Sequence, residues 1–170
     1  MFLVLPSLLA CIGGELSWSL SEPVDAVDVT FANGDIVVLG EDRNDIVVNW
    51  SGGGLGFDTA PNVYAEDGVG VVDGECHQCG GALEVRVPLG VAVTAELRNG
   101  NVSVHLDEAA DIDACVLHGA VDIEVPAGAY ALALDGVIGA VSLRDIVDDP
   151  QAENSIAACV GAGDIEIRGR

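Results

Sequence analysis

The chain has 170 residues, a formal net charge of −22 and no lysine, its six basic residues all being arginines. So acidic a surface repels nucleic acid and anionic membranes, which argues against both as direct partners. One domain is expected at this length, and because half the residues are hydrophobic while only 4% are aromatic, Val, Ile, Leu and Ala must fill its core.

The first element, Met1-Phe-Leu-Val-Leu-Pro-Ser-Leu-Leu-Ala10, is an apolar run as long as a secretory signal core and too short to span a bilayer. No Lys or Arg precedes it, but its end, Leu8-Leu9-Ala10-Cys11, resembles the bacterial lipobox, whose cysteine is lipidated and becomes the new N-terminus. Residues 1–10 are therefore expected to be a signal peptide and 11–23 a tether carrying the lipid on Cys11, with plain secretion or a buried strand as alternatives. Trp18 falls in this tether, placed to touch a membrane surface or to stay unstructured.

From about residue 24 a repeat begins. A glycine followed by alternating apolar and polar residues occurs five times: Gly34-Asp-Ile-Val-Val, Gly100-Asn-Val-Ser-Val, Gly119-Ala-Val-Asp-Ile, Gly139-Ala-Val-Ser-Leu and Gly163-Asp-Ile-Glu-Ile. The last four glycines are 19, 20 and 24 residues apart, a spacing that suits stacked β-rungs with a strand on each side of a turn. Two residues after the glycines stand Ile36, Val102, Val121, Val141 and Ile165, and seven before them Val27, Val93, Ile112, Leu132 and Ile156. Side chains alternate faces along a strand, so these columns point together into a core. Asn33-Gly34 and Asn99-Gly100 also suit hairpins. However, the apolar columns lie on the same side at both flanks of the glycine and match in kind from unit to unit, which favours bent arcs whose strands pair with their equivalents in the next unit. The predicted fold is all-β: a short right-handed β-solenoid, β-helix-like, built of about 20-residue glycine-centred units over 24–170.

Between the first two units, Trp50 is expected to cap the solenoid or to pack under the glycine-rich segment that follows it. That segment, Gly52-Gly53-Gly54-Leu55-Gly56, lacks the Lys-Ser/Thr of a phosphate loop and reads as a flexible loop. Cys76-His77-Gln78-Cys79 precedes the strand Leu83–Val87. A redox dithiol normally opens a helix that lowers the thiol pKa, and nothing here reads as one. A structural zinc site needs about four ligands, where Cys76, His77 and Cys79 cluster only three. A local Cys76–Cys79 disulfide is the leading reading, with a metal site, redox chemistry and free thiols as alternatives.

Cys115 and Cys159 each lie four residues before a repeat glycine, in an outward column with Thr30, Glu96 and Asp135. If the units stack in chain order, Asp135 separates them and their Cα atoms are roughly 9–10 Å apart, beyond the roughly 7 Å reach of a disulfide. No bond between them is therefore expected, and a separation near 5–6 Å would show that the stack departs from chain order. Five residues after the glycines, His105, Glu124, Arg144 and Arg168 could form a charged ladder, with Asp122 and Glu166 two residues away. Cross-strand ion pairs are the favoured reading of this ladder; a glycan-processing site on Asp122, Glu124 and Arg144 is the alternative. His118, just before Gly119, reads as a solvated corner.

The run Phe31-Ala-Asn-Gly-Asp-Ile-Val-Val, the strand Leu83-Glu-Val-Arg-Val-Pro88 and the units at Gly100, Gly119, Gly139 and Gly163 together resemble the bacterial adhesin-domain family, DUF4097, over residues 24–170. The resemblance implies an exported or membrane-tethered β-solenoid, often a lipoprotein, with no established enzyme activity and no catalytic residues to carry over. It also implies a cysteine pair before the Val-Pro strand, which Cys76 and Cys79 match. The resulting expectation is a non-catalytic cell-envelope protein, lipid-anchored or secreted, acting as an adhesin-like binding or structural module without a cofactor. Its partners would be protein or glycan at the cell surface, with the membrane met only through the lipid. The alternatives are a glycan-processing enzyme and a metal or redox protein centred on Cys76 and Cys79.

Overall fold

The repeat glycines hold φ values between 125° and 149°, a region that side chains other than glycine's avoid. A Cβ added at Gly119 would lie 1.6 Å from the carbonyl oxygen of Gly100, and one at Gly163 would lie 1.5 Å from that of Gly119. Bare backbone is therefore required wherever one bend seats on the next. Side chains beside the glycines tie the bends together. The Asn99 amide donates to Asn33 Oδ1 at 2.8 Å, and the backbone N–H of Ala120 and Ala140 donate to the side-chain oxygens of Asn101 and Asp164.

The computed structural model describes residues 14–54, 60–74, 79–136 and 138–170 and arranges them as strands, with no helix among them. In chain order these are β1 (Gly14–Leu20), β2 (Ala26–Asn33), β3 (Asp35–Glu41), β4 (Ile46–Gly54), β5 (Asn62–Glu66), β6 (Val69–Gly74) and β7 (Cys79–Pro88). They continue as β8 (Ala92–His105), β9 (Ile112–Val125), β10 (Gly128–Gly136), β11 (Val141–Arg144), β12 (Ile146–Asp148), β13 (Ser155–Ala162) and β14 (Ile165–Gly169). The protein is all-β, and its sheet is open.

Equivalent arms of the units pair in parallel. The first arm of β8 lies along β2 and its second along β3, while β9 repeats the register against β8, with Val93 beside Ile112 and Val102 beside Val121. Units thus pair as bent arcs rather than as hairpins folded on themselves. The inward columns fill the core as the alternation requires: Val29, Ile36, Ala95, Val104, Ala114, Ile123, Ile156 and Ile167 are all buried.

The units do not stack in chain order. β9 is flanked by β13 and β14, and β10 and β11 pair with the far sides of those strands. The last unit of the sequence has entered between the third and the fourth. The longer 24-residue interval between Gly139 and Gly163 allows this, because it holds β12, which runs beside the start of β10 while the chain turns back. Just past β14, Arg170 N–H donates to Val125 O, and Ala127 N–H donates to Arg170 O.

At the other end the outer strands run antiparallel. β4 pairs antiparallel with β7, and β1 with β4, while β5 turns back on β6 and comes into contact with β1. Gly14–Leu20 is therefore a strand and not part of a tether, because Trp18 and Leu20 alternate with serines and pack against the core. Gly52–Gly54 likewise extends β4 opposite Cys79–Gly81 instead of looping out, and Trp50 is buried below Gly81.

Gly119→Ala combines the unfavourable φ with a backbone overlap and should lower unfolding free energy by more than about 3 kcal/mol. Gly128, where an added Cβ meets nothing within 4 Å, should tolerate alanine within about 0.5 kcal/mol. Urea denaturation of the two variants checks both values.

Candidate functional site

Two outward faces carry the polar chemistry. On the first arms, the column four residues before the glycines runs in space as Thr30, Glu96, Cys115, Cys159, Asp135. Because β13 sits directly beside β9, Cys115 and Cys159 are in register, their Cα atoms are 4.5 Å apart and their sulfurs are bonded. This overturns the expectation that they stay apart, which rested on stacking in chain order.

The disulfide lies in a groove of about 530 Å³ lined on its outer side by Glu96, Arg98, Leu117, Asp135 and Gly161. Glycine at 161 leaves the floor without a side chain: a Cβ there would meet the Leu117 carbonyl oxygen at 2.5 Å. Leu117 stands beside that gap 52% exposed. The groove joins apolar surface to a single guanidinium, that of Arg98. Arg43, Arg86, Arg168 and Arg170 all sit on carboxylates, whereas Arg98 and Arg144 have no such partner among the described residues.

On the second arms, Arg168 is the hub of the charged ladder. Its Nε donates to Glu124 Oε2 at 2.9 Å, and its terminal nitrogens lie 3.2 Å from Asp122 and 3.6 Å from Glu166. Arg170 reaches Glu124 Oε1 at 3.1 Å and also holds Asp107. His105 Nδ1 stands 3.7 Å from Glu124. The Arg168 hydrogen bond holds the Glu124 carboxyl below its ordinary range, and the charges of Arg170, Arg168 and His105 add to it against a partial loss of hydration. A carboxyl so held remains ionised, whereas a general acid needs its pKa raised toward neutrality. Arg144 is in register with Arg168 and not with Glu124, so the combination of Asp122, Glu124 and Arg144 considered from the sequence does not converge.

Cys11, Cys76 and His77 lie outside the described residues, and of Cys79 only its place at the start of β7 is described. His105 belongs to the ladder and His118 is exposed on β9. The described residues hold no cluster of three or more potential metal ligands. The groove was not anticipated from the sequence. Its one advance signal was the presence of two cysteines in a single outward column.

No family model matches the chain, and no curated protein does. Among solved structures, it is similar to a candidate cell adhesion protein from Clostridium sporogenes, with a TM-score of 0.52 and 12% identity over 94% of this chain and 100% of that one. This likeness is one of fold. Candidate adhesins from Parabacteroides distasonis (TM-score 0.34, 10% identity, 91% and 97% of the two chains) and Bacteroides fragilis (TM-score 0.28, 11%, 91% and 97%) also align, too loosely to support an argument.

Because the folded pKa of Glu124 lies below its ordinary 4.5, the pair's contribution to stability is complete above that value and is lost as pH falls through the lowered one. Arg168→Gln should therefore lower the thermal midpoint at pH 7, and the gap to the parent protein should narrow below about pH 4. Melting curves at stepped pH test this.

Proposed function

We propose that this chain is a non-catalytic cell-envelope lipoprotein whose right-handed β-solenoid serves as an adhesin-like surface-binding module. The observation that carries the reading is the groove over the Cys115–Cys159 bond: apolar Leu117 and Arg98, which has no carboxylate partner among the described residues, beside Glu96 and Asp135. Such a surface can seat a protein or glycan that presents an anionic group beside an apolar one. The ladder gives a second reason, since its carboxylates are engaged by arginines and not poised for proton transfer. The sequence resemblance to the DUF4097 adhesin-domain family and the likeness in fold to the Clostridium protein agree with it. The lipobox-like Leu8-Leu9-Ala10-Cys11 supports export, lipidation at Cys11 and contact with the membrane through that lipid alone.

Two variants separate the parts of this reading. Cys11→Ser should move the protein from the membrane fraction to the soluble one while leaving its fold intact. The double variant Arg98→Ala, Leu117→Asp should stay in the membrane fraction and keep its melting temperature, yet reduce attachment of displaying cells to a glycan- or matrix-coated surface at least fivefold. Unchanged attachment by the groove variant would remove the groove from the function.

A further inference from the structure

The two ends of the stack are built differently. At the N-terminal end the outer strands pair antiparallel, and β1 comes into contact with β5. At the other end, the terminal unit formed by β10 and β11 has no unit beyond it among the described residues. Its core columns are open as a result: Val141 and Leu143 occupy the inward register of Ile165 and Ile167 but are 50% and 44% exposed, where those isoleucines are buried. The start of β10 is covered, by β12 along Gly128–Tyr130 and by the buried Tyr130 ring, whose hydroxyl donates to Pro126 O.

The backbone of β11 is open on the same side. Ile165 N–H donates to Ala140 O, and in a parallel ladder the N–H and C=O of one residue turn to the same neighbour while those of the next turn away. The groups of Ala140, Ser142 and Arg144 therefore face β14, and those of Val141 and Leu143 face outward, where no strand of the described residues is paired to them. The charged ladder ends there too. It runs His105, Glu124, Arg168, Arg144, leaving Arg144 beside another arginine and with no carboxylate on its outer side among the described residues.

We propose that the free edge of β11 receives one extended strand from another protein as an added rung, with apolar side chains covering Val141 and Leu143 and a carboxylate opposite Arg144. Strand addition of this kind supplies main-chain hydrogen bonds for affinity and alternate side-chain pockets for specificity. A second copy of the chain is a poor occupant. Two-fold pairing of β11 with itself leaves Arg144 unmatched and brings together two chains of charge −22. Head-to-tail stacking meets the same repulsion. The inference does not depend on where the protein resides or on what its groove binds.

The probe is an end-capped peptide, Ser-Glu-Val-Thr-Val-Glu-Ser, which presents the required pattern in either strand direction; its control carries lysine at both glutamates. With the full-length chain at 0.15 M salt, where exposed charges are screened beyond about 8 Å, amide NMR titration should show saturable shifts at Val141 and Leu143 with the glutamate peptide. Leu143→Asp should weaken that binding at least tenfold, and Arg144→Glu should reverse the preference to the lysine peptide. Arg144 is exposed on the terminal strand, so its replacement tests charge matching even if Leu143→Asp disturbs the fold. The proposal is overturned if neither peptide binds at millimolar concentration, if Arg144→Glu leaves the preference unchanged, or if sedimentation finds dimers that Leu143→Asp separates.

Discussion

The stack depends on glycine backbones seated on one another. At each bend the chain needs a φ that other residues avoid, and a carbonyl oxygen of the neighbouring unit occupies the space where a Cβ would stand. With that contact made, the arms on either side of the glycine are held in register, and their apolar columns meet with little aromatic filling beyond Phe31, Trp50 and Tyr130. Val, Ile, Leu and Ala make up most of the core because each unit contributes a thin, repeated layer to it. The same contact leaves the outward columns aligned, which is what places sulfur beside sulfur and carboxylate beside arginine.

Stacking order gives the outer surface its chemistry. If the units followed chain order, Cys115 would face Asp135 and Glu124 would adjoin Arg144. The observed order places Cys159 beside Cys115 and Arg168 beside Glu124. One exchange of position thus creates both the disulfide-floored groove and the paired ladder, and it moves Leu132, Leu134, Val141 and Leu143 to the rim. The acidic excess of the chain is absorbed locally where arginines stand in register, and it is exposed elsewhere.

Much of the architecture could be read from residues. The five glycine-centred units, their inward and outward columns, the arc in place of the hairpin and the cross-strand ion pairs of the charged ladder all follow from alternation and spacing. The stacking order could not, because Val141 and Leu143 are the same in kind as Ile165 and Ile167, and columns alone cannot rank two such units. The strand over Gly14–Leu20 was hidden by its short length and by serines that read as linker, although Leu16, Trp18 and Leu20 keep period two. Gly52–Gly54 misled in the same way: glycines that look like a loop serve here as strand backbone packed closely against Gly80 and Gly81. The groove was invisible because it is a product of neighbours chosen by the stacking order.

Disulfide mapping by mass spectrometry of an unreduced digest tests this order most directly. A peptide containing Cys115 linked to one containing Cys159 is expected, a pairing that chain-order stacking places out of reach. Recovery of both cysteines as alkylated free thiols, or of either one bonded to a different partner, would contradict it.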